Sequence, residues 1–130
     1  MLVKFDGEKH GKTVLAAANF AATLVELARL EEAKTLLRKM MPVARRVLGD
    51  DDRLTLMIRR MYAKALCRDP DATLEDIREA VTTLEDAGRT ARRVLGGPHP
   101  TTRGIEVALR DARAALRARE TPGDCVRKSR

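Results

Sequence analysis

The 130-residue chain has one tyrosine, two phenylalanines and no tryptophan. Proteins that grip single-stranded nucleic acid stack bases on aromatic side chains, so that device is excluded as the chain's main activity. Cysteine is almost as scarce. Cys67 and Cys125 stand far apart, without the paired spacing of a zinc site, and reduced intracellular thiols are expected. Neither His10 nor His99 has a second histidine or cysteine at ligand spacing, so no metal site is expected. No Ser/His/Asp or Cys/His set stands out, and neither a catalytic residue nor a cofactor is expected. No apolar run approaches the roughly 20 residues that cross a membrane. The opening Met-Leu-Val-Lys-Phe-Asp is too short and polar for a signal peptide. The expectation is a cytoplasmic protein with no membrane contact.

What the chain has in quantity is Ala, Leu, Arg and Glu, a composition that favours helix. The formal net charge is +7. Such a balance suits acidic partners or nucleic acid, and with 19 acids interspersed it also suits plain solubility.

The organising feature is a repeat. Ala44-Arg-Arg-Val-Leu-Gly49 recurs letter for letter at Ala91 to Gly96. Thr55 and Thr102 each follow the terminal glycine by six positions, and Gly7 and Thr13 keep the same gap. Gly7 to Gly49 is 42 positions and Gly49 to Gly96 is 47. The five extra residues fall between Leu66 and Ala80, at the turn Cys67-Arg-Asp-Pro-Asp-Ala72. Repeats of this length mark solenoids, and insertions in them map to turns.

Five helices are predicted. The first runs over about 13–28 with Thr13 as N-cap, burying Phe20, Ala21, Leu24, Leu27 and Ala28. The second covers 30–48, with Ala33, Leu36, Leu37, Met40 and Met41 on its apolar face. Pro42 predicts a kink or break there, because proline leaves the carbonyl of Arg38 without its donor. Gly88 and Arg89 are expected to weaken the fourth helix at the same level. Gly49 fits a C-cap, and Asp50, Asp51 and Asp52 suit the dipole of a third helix over 54–68. The fourth runs from Ala72 or Thr73 to Leu95. After the break Gly96-Gly-Pro-His-Pro100 comes a fifth, over 101–119, with Ile105, Leu109, Ala112 and Leu116 on one stripe.

The expected architecture is all-α: a right-handed α-solenoid of antiparallel helical hairpins, about two and a half units. The expected division is a lead-in at 1–12, a repeat domain at 13–119 (units 7–48, 49–95 and 96–119) and a disordered basic tail at 120–130.

These motifs resemble the tetratricopeptide repeat family, in its longer kinesin-light-chain type. Unit one carries Thr13, Asn19-Phe20-Ala21, Leu24, Ala28 to Ala33, Leu37 and Leu48-Gly49. Unit two carries Thr55, Tyr62-Ala63, Leu66, Glu79-Ala80, Leu84 and Leu95-Gly96. The turn Gly96 to Thr102 is the nearest match to the family's Leu-Gly-x-Pro-His-Pro pattern. Ala28 stands where the family has an inter-helix glycine. The resemblance covers residues 7 to 118. It implies a concave groove lined by the first helix of each unit: Leu15, Ala18, Asn19, Ala22, Val25 and Glu26, then Met57, Arg60, Met61, Lys64, Cys67 and Arg68. It also implies a scaffold or adaptor engaged in protein–protein interaction.

One feature stands without the family. Arg60, Lys64 and Arg68 are spaced i, i+4, i+8, so one helical face carries three cations. Such a face is either solvated or a clamp for an acidic peptide or chain carboxylate. Asn19, Ala22, Glu26, Met57, Arg60, Lys64 and Arg68 are therefore the candidate peptide-binding residues. Competing readings are a basic helical repeat that binds nucleic acid, and a self-associating piece of a longer array. Gly7-Glu-Lys-His-Gly-Lys-Thr13 resembles a phosphate loop, but three residues separate its glycines where four are required.

Overall fold

The computed structural model describes residues 7–120, with side chains from Lys12 onward. Five helices follow one another: α1 (Gly7–Glu26), α2 (Leu30–Val47), α3 (Arg53–Arg68), α4 (Leu74–Leu95) and α5 (Pro100–Glu120). No strand occurs among the described residues. Each helix packs on its neighbour in sequence, and α3 also touches α1 and α5. This is an all-α helical repeat solenoid in which α1, α3 and α5 share one side and α2 and α4 the other. Of the expected tail, Glu120 closes α5 and the rest, Cys125 included, lies outside the described residues, as does the first half of the lead-in.

Helix ends follow local chemistry. Asp52 caps α3 by accepting from the Leu54 N–H at 2.8 Å. Thr73 opens α4 with a reciprocal capping box: its hydroxyl accepts from the Asp76 N–H at 3.1 Å, and the Asp76 carboxylate accepts from the Thr73 N–H at 3.0 Å. Gly49 and Gly96 follow α2 and α4 with φ of 93° and 90°, angles that only glycine adopts without strain. Ala28, beyond α1, also sits at positive φ, 61°. Around it the Arg29 N–H donates to the Leu24 carbonyl at 2.8 Å and the Ala28 N–H to that of Val25 at 3.0 Å. That pair of bonds is the Schellman closure, made here on a residue with a Cβ.

Four expectations change. First, α1 begins at Gly7, so Thr13 lies inside the helix rather than at its cap, and the Gly7–Thr13 stretch is helix, not a phosphate loop. Secondly, α2 runs through Pro42 without a break. Proline's fixed φ suits a helix, and Pro42 is on the exposed side, where water can reach the carbonyl it leaves unbonded. α4 is likewise continuous through Gly88, which is buried with Ile105 Cγ2 only 3.6 Å from where a Cβ would stand. Thirdly, the insertion is not confined to the turn. Leu30 corresponds to Ile77 in the repeat register, yet α4 starts at Leu74. Three of the extra residues thus form an added first turn of α4, and the rest lengthen the loop. Fourthly, Phe20 and Leu27, expected in the core, are each 60% exposed. They lie on the outer side of α1, where none of the described helices packs.

The core runs along the stack: Val14, Ala18 and Ala21 of α1, Leu37 and Ala44 of α2, Leu56, Ile58, Tyr62 and Leu66 of α3, Ala80 and Leu84 of α4, and Ile105 and Ala112 of α5. With so few aromatics, alanines set the helix spacing. Tyr62 is the largest fully buried side chain.

Candidate peptide-binding groove

α3 is the floor of a concave surface whose walls are α1 and α5. The surface divides into two clefts. One, of about 560 Å³, lies between α1 and the N-terminal half of α3 and is lined by Leu15, Ala18, Asn19, Ala22, Leu54, Met57 and Met61, with Asp52, Arg53 and Leu95 at its rim. The other, of about 340 Å³, lies between the C-terminal half of α3 and α5. Its α3 side is Arg60, Ala63, Lys64, Cys67 and Arg68; its α5 side is Val107, Ala108, Asp111, Ala112 and Ala115. The first cleft is mainly apolar; the second is the cationic one, its largely small, apolar lining carrying three cations along α3.

Of the residues picked out from the sequence, Asn19, Ala22 and Met57 line the apolar cleft, and Arg60, Lys64 and Arg68 the cationic one. Glu26 lines neither, because it closes α1 beyond the cleft. Val25, carried over with it, is buried against Leu24, Ala33 and Ala65.

Many cations on the other faces meet acids: Arg59 with Asp86 at 2.5 Å, Arg92 with Glu106 at 2.5 Å, Arg113 with Glu85 at 3.0 Å and Lys34 with Asp69 at 2.7 Å. Arg60, Lys64 and Arg68 are in none of the ion pairs among the described residues. One acid, Asp111, lines the same cleft on the α5 side. Burial, and then the charges of Arg68 and Arg60, hold the Lys64 ammonium below the usual lysine pKa. The Arg60 Nε is buried without a hydrogen-bond partner. Its guanidinium lies over Gly104, where a Cβ would come within 3.2 Å of Arg60 Cζ. Burial, and next Asp111, push the Cys67 thiol above the usual cysteine range, which makes it a packing group rather than a nucleophile.

The sequence reading named groove residues on the first and third helices only, and missed the α5 wall. The signal was present. The repeat register that relates Thr55 to Thr102 carries Met57, Arg60, Lys64 and Arg68 onto Gly104, Val107, Asp111 and Ala115. All but Gly104 line the cleft, and Gly104 supports Arg60.

No group of three or more His, Cys, Asp or Glu side chains that could hold a metal ion occurs among the described residues. None of the described helices is long and apolar enough to cross a membrane. Compared with known families, residues 13–53 match the tetratricopeptide repeat model, which supports a tetratricopeptide repeat protein. The matched span covers most of α1, all of α2 and the first residue of α3. The internal register extends the same pattern through α5. No curated protein and no solved structure matches the chain.

Proposed function

We propose that residues 13–119 form one tetratricopeptide domain of the long, kinesin-light-chain-like type. Its role is that of a non-catalytic adaptor that receives an acidic peptide in the α1–α3–α5 groove. The observation that carries this reading is the grouping of Arg60, Lys64 and Arg68 along one cleft, none of them in an ion pair among the described residues. Cations so grouped offer an acidic ligand charge-assisted hydrogen bonds, and burial already weighs against the charge on Lys64. Asn19, Ala22 and Met57 would take the apolar part of the same ligand.

An anion bound at the cleft would raise the pKa of Lys64 back towards its ordinary value. Affinity is therefore expected to fall with rising pH before an ordinary lysine would titrate. Capture of partners from lysate, with and without nuclease, followed by titration of the identified peptide, tests the reading. Arg60→Glu with Lys64→Glu should weaken a nuclease-resistant protein partner at least tenfold. Unchanged affinity removes the clamp. Recovery that collapses with nuclease, and falls steeply with salt, transfers the basic surface to nucleic acid.

A further inference from the structure

The outer face of α1 presents Ala16, Phe20 and Thr23, and Leu27, the first residue of the turn after it, continues the line, at spacings of four, three and four residues. They form a single stripe about 16 Å long on a helix rising about 1.5 Å per residue. All four are exposed, Phe20 and Leu27 at 60% each. The repeat register shows what such a stripe does elsewhere in the molecule. Its counterparts on α3 are Ile58, Tyr62, Ala65 and Asp69, all buried, where α2 packs on α3. Its counterparts on α5 are Ile105, Leu109, Ala112 and Leu116, buried or half-buried, where α4 packs on α5. The same surface is therefore covered by a helix in two of its three occurrences.

The side chains specify the chemistry of what would cover the third. Between α2 and α3, Lys34 bonds Asp69 and Arg38 bonds the Tyr62 hydroxyl, at 2.7 Å and 3.0 Å. On α1 those acceptors are replaced by Leu27 and Phe20, so an incoming helix gains nothing from cations there and would bury them without partners. The α1 stripe matches that of α5, with Leu109 and Leu116, in polarity, and the helix lying on α5 is α4. In a second copy α2 and α4 are likewise covered, by α3 and α5, so neither of those two helices is free to take this place.

We propose that this face of α1 is a docking surface for an amphipathic helix of α4's kind, supplied from outside these 130 residues. Its seam is apolar, and it is uncharged at the positions that face Phe20 and Leu27. The proposal is independent of the groove reading, because the two surfaces share none of these four residues.

The test uses the full chain and a fluorescein-labelled peptide of residues 73–95 carrying Glu85→Leu, the change that neutralises the position facing Phe20. Binding is expected to weaken at least tenfold in the Phe20→Glu, Leu27→Glu variant, and about threefold in Phe20→Ser. It should stay unchanged in Arg60→Glu, Lys64→Glu. A peptide of residues 29–47, which keeps Lys34 and Arg38, should bind at least threefold more weakly. Circular dichroism checks that each variant keeps its helices, as substitution at exposed positions should allow. Absence of binding, or equal binding to wild type and the Phe20 and Leu27 variants, overturns the proposal. So does a dimer of the peptide-free chain, seen by sedimentation, that Phe20→Glu with Leu27→Glu dissolves, because the face would then belong to a second copy.

Discussion

The α2–α3 and α4–α5 junctions occupy the same register of the repeat and are built by different means. At the first, Lys34 and Asp69 form an ion pair whose side chains are both less than a tenth exposed. At the second, the matching residues are Val81 and Leu116, both packed in the core cluster. At the first, Tyr62 is a polar node, its hydroxyl donating to Glu79 at 2.8 Å and accepting from Arg38. At the second its counterpart is Leu109. At the first, the Thr55 hydroxyl donates to the Ala44 carbonyl at 3.4 Å; at the second, the equally buried Thr102 hydroxyl has no partner. The backbone arrangement thus tolerates either a polar or an apolar seam. What the polar seam adds is discrimination: Lys34 and Arg38 find acceptors on α3 and would find none on α5.

The strongest way to break this comparison is at Lys34. Lys34→Ala leaves Asp69 buried without its partner, and Tm is expected to fall by roughly 10 °C. The junction itself supplies the control. Lys34→Val with Asp69→Leu copies the α4–α5 seam and should recover most of that loss, because apolar replacement of a buried pair is often neutral or stabilising. A double variant no better than the single would mean that the two junctions are not interchangeable.

The pair also predicts a pH dependence. The hydrogen bond from Lys34, and then that from the Asp71 N–H, hold the Asp69 carboxyl below the usual carboxylate range. Its contribution is full above the unfolded carboxylate pKa and disappears as pH falls through the lower folded value. Burial opposes the charge on Lys34, but Asp69 and Glu31 outweigh it and leave the lysine above its ordinary value. That contribution is full below the unfolded lysine pKa and is lost as pH rises through the folded one. The Val–Leu variant should be flatter at both ends in a melting series across pH.

Thr55 and Thr102 give a smaller effect of opposite sign. Thr55→Val removes a buried hydrogen bond and leaves the Ala44 carbonyl without its hydroxyl donor, a cost of about 1 kcal/mol. Thr102→Val removes an unpartnered buried hydroxyl and should be neutral or stabilising. Urea denaturation of the two variants side by side reads the difference directly, and equal losses would show that the hydroxyls play one common role.

The repeat made the five helices legible, because apolar periodicity and turn residues agree at every boundary but one. The exception is the start of α1, expected at a Thr13 N-cap after a lead-in at 1–12 and found at Gly7. The cationic face of α3 was also legible, since i, i+4, i+8 spacing fixes direction on a helix. Its opposite wall was not seen, because Gly104, Val107 and Asp111 carry no charge pattern of their own and acquire a role only when α5 lies against α3. Burial of Lys34 and Arg59 was equally hidden. A charged residue reads as surface until its acid partner, distant in sequence, is known to be near. Phe20 and Leu27 erred the other way: they have the periodicity of core positions, and only the absence of a packed helix leaves them exposed.

The smallest expected effect sharpens the comparison at the turns that lead into α2 and α4. The α1–α2 turn closes in three residues, 27–29, and places Ala28 at positive φ. The α3–α4 turn has five, 69–73, and has no residue at positive φ. It is held instead by Asp69 accepting from the Asp71 N–H at 2.9 Å and by the Thr73 capping box. The insertion has therefore replaced a strained closure with a longer, side-chain-bonded one. An alanine in the left-handed region costs roughly 1 kcal/mol, part of which glycine gives back through its freer unfolded chain. Ala28→Gly should then stabilise the domain by about 0.5 kcal/mol. Asp71→Gly, in the longer turn, meets no positive φ to relieve and should destabilise by a similar amount. If Ala28→Gly also lowers Tm, the strain at Ala28 is offset by contacts of its methyl group, and the short turn is not the weaker of the two.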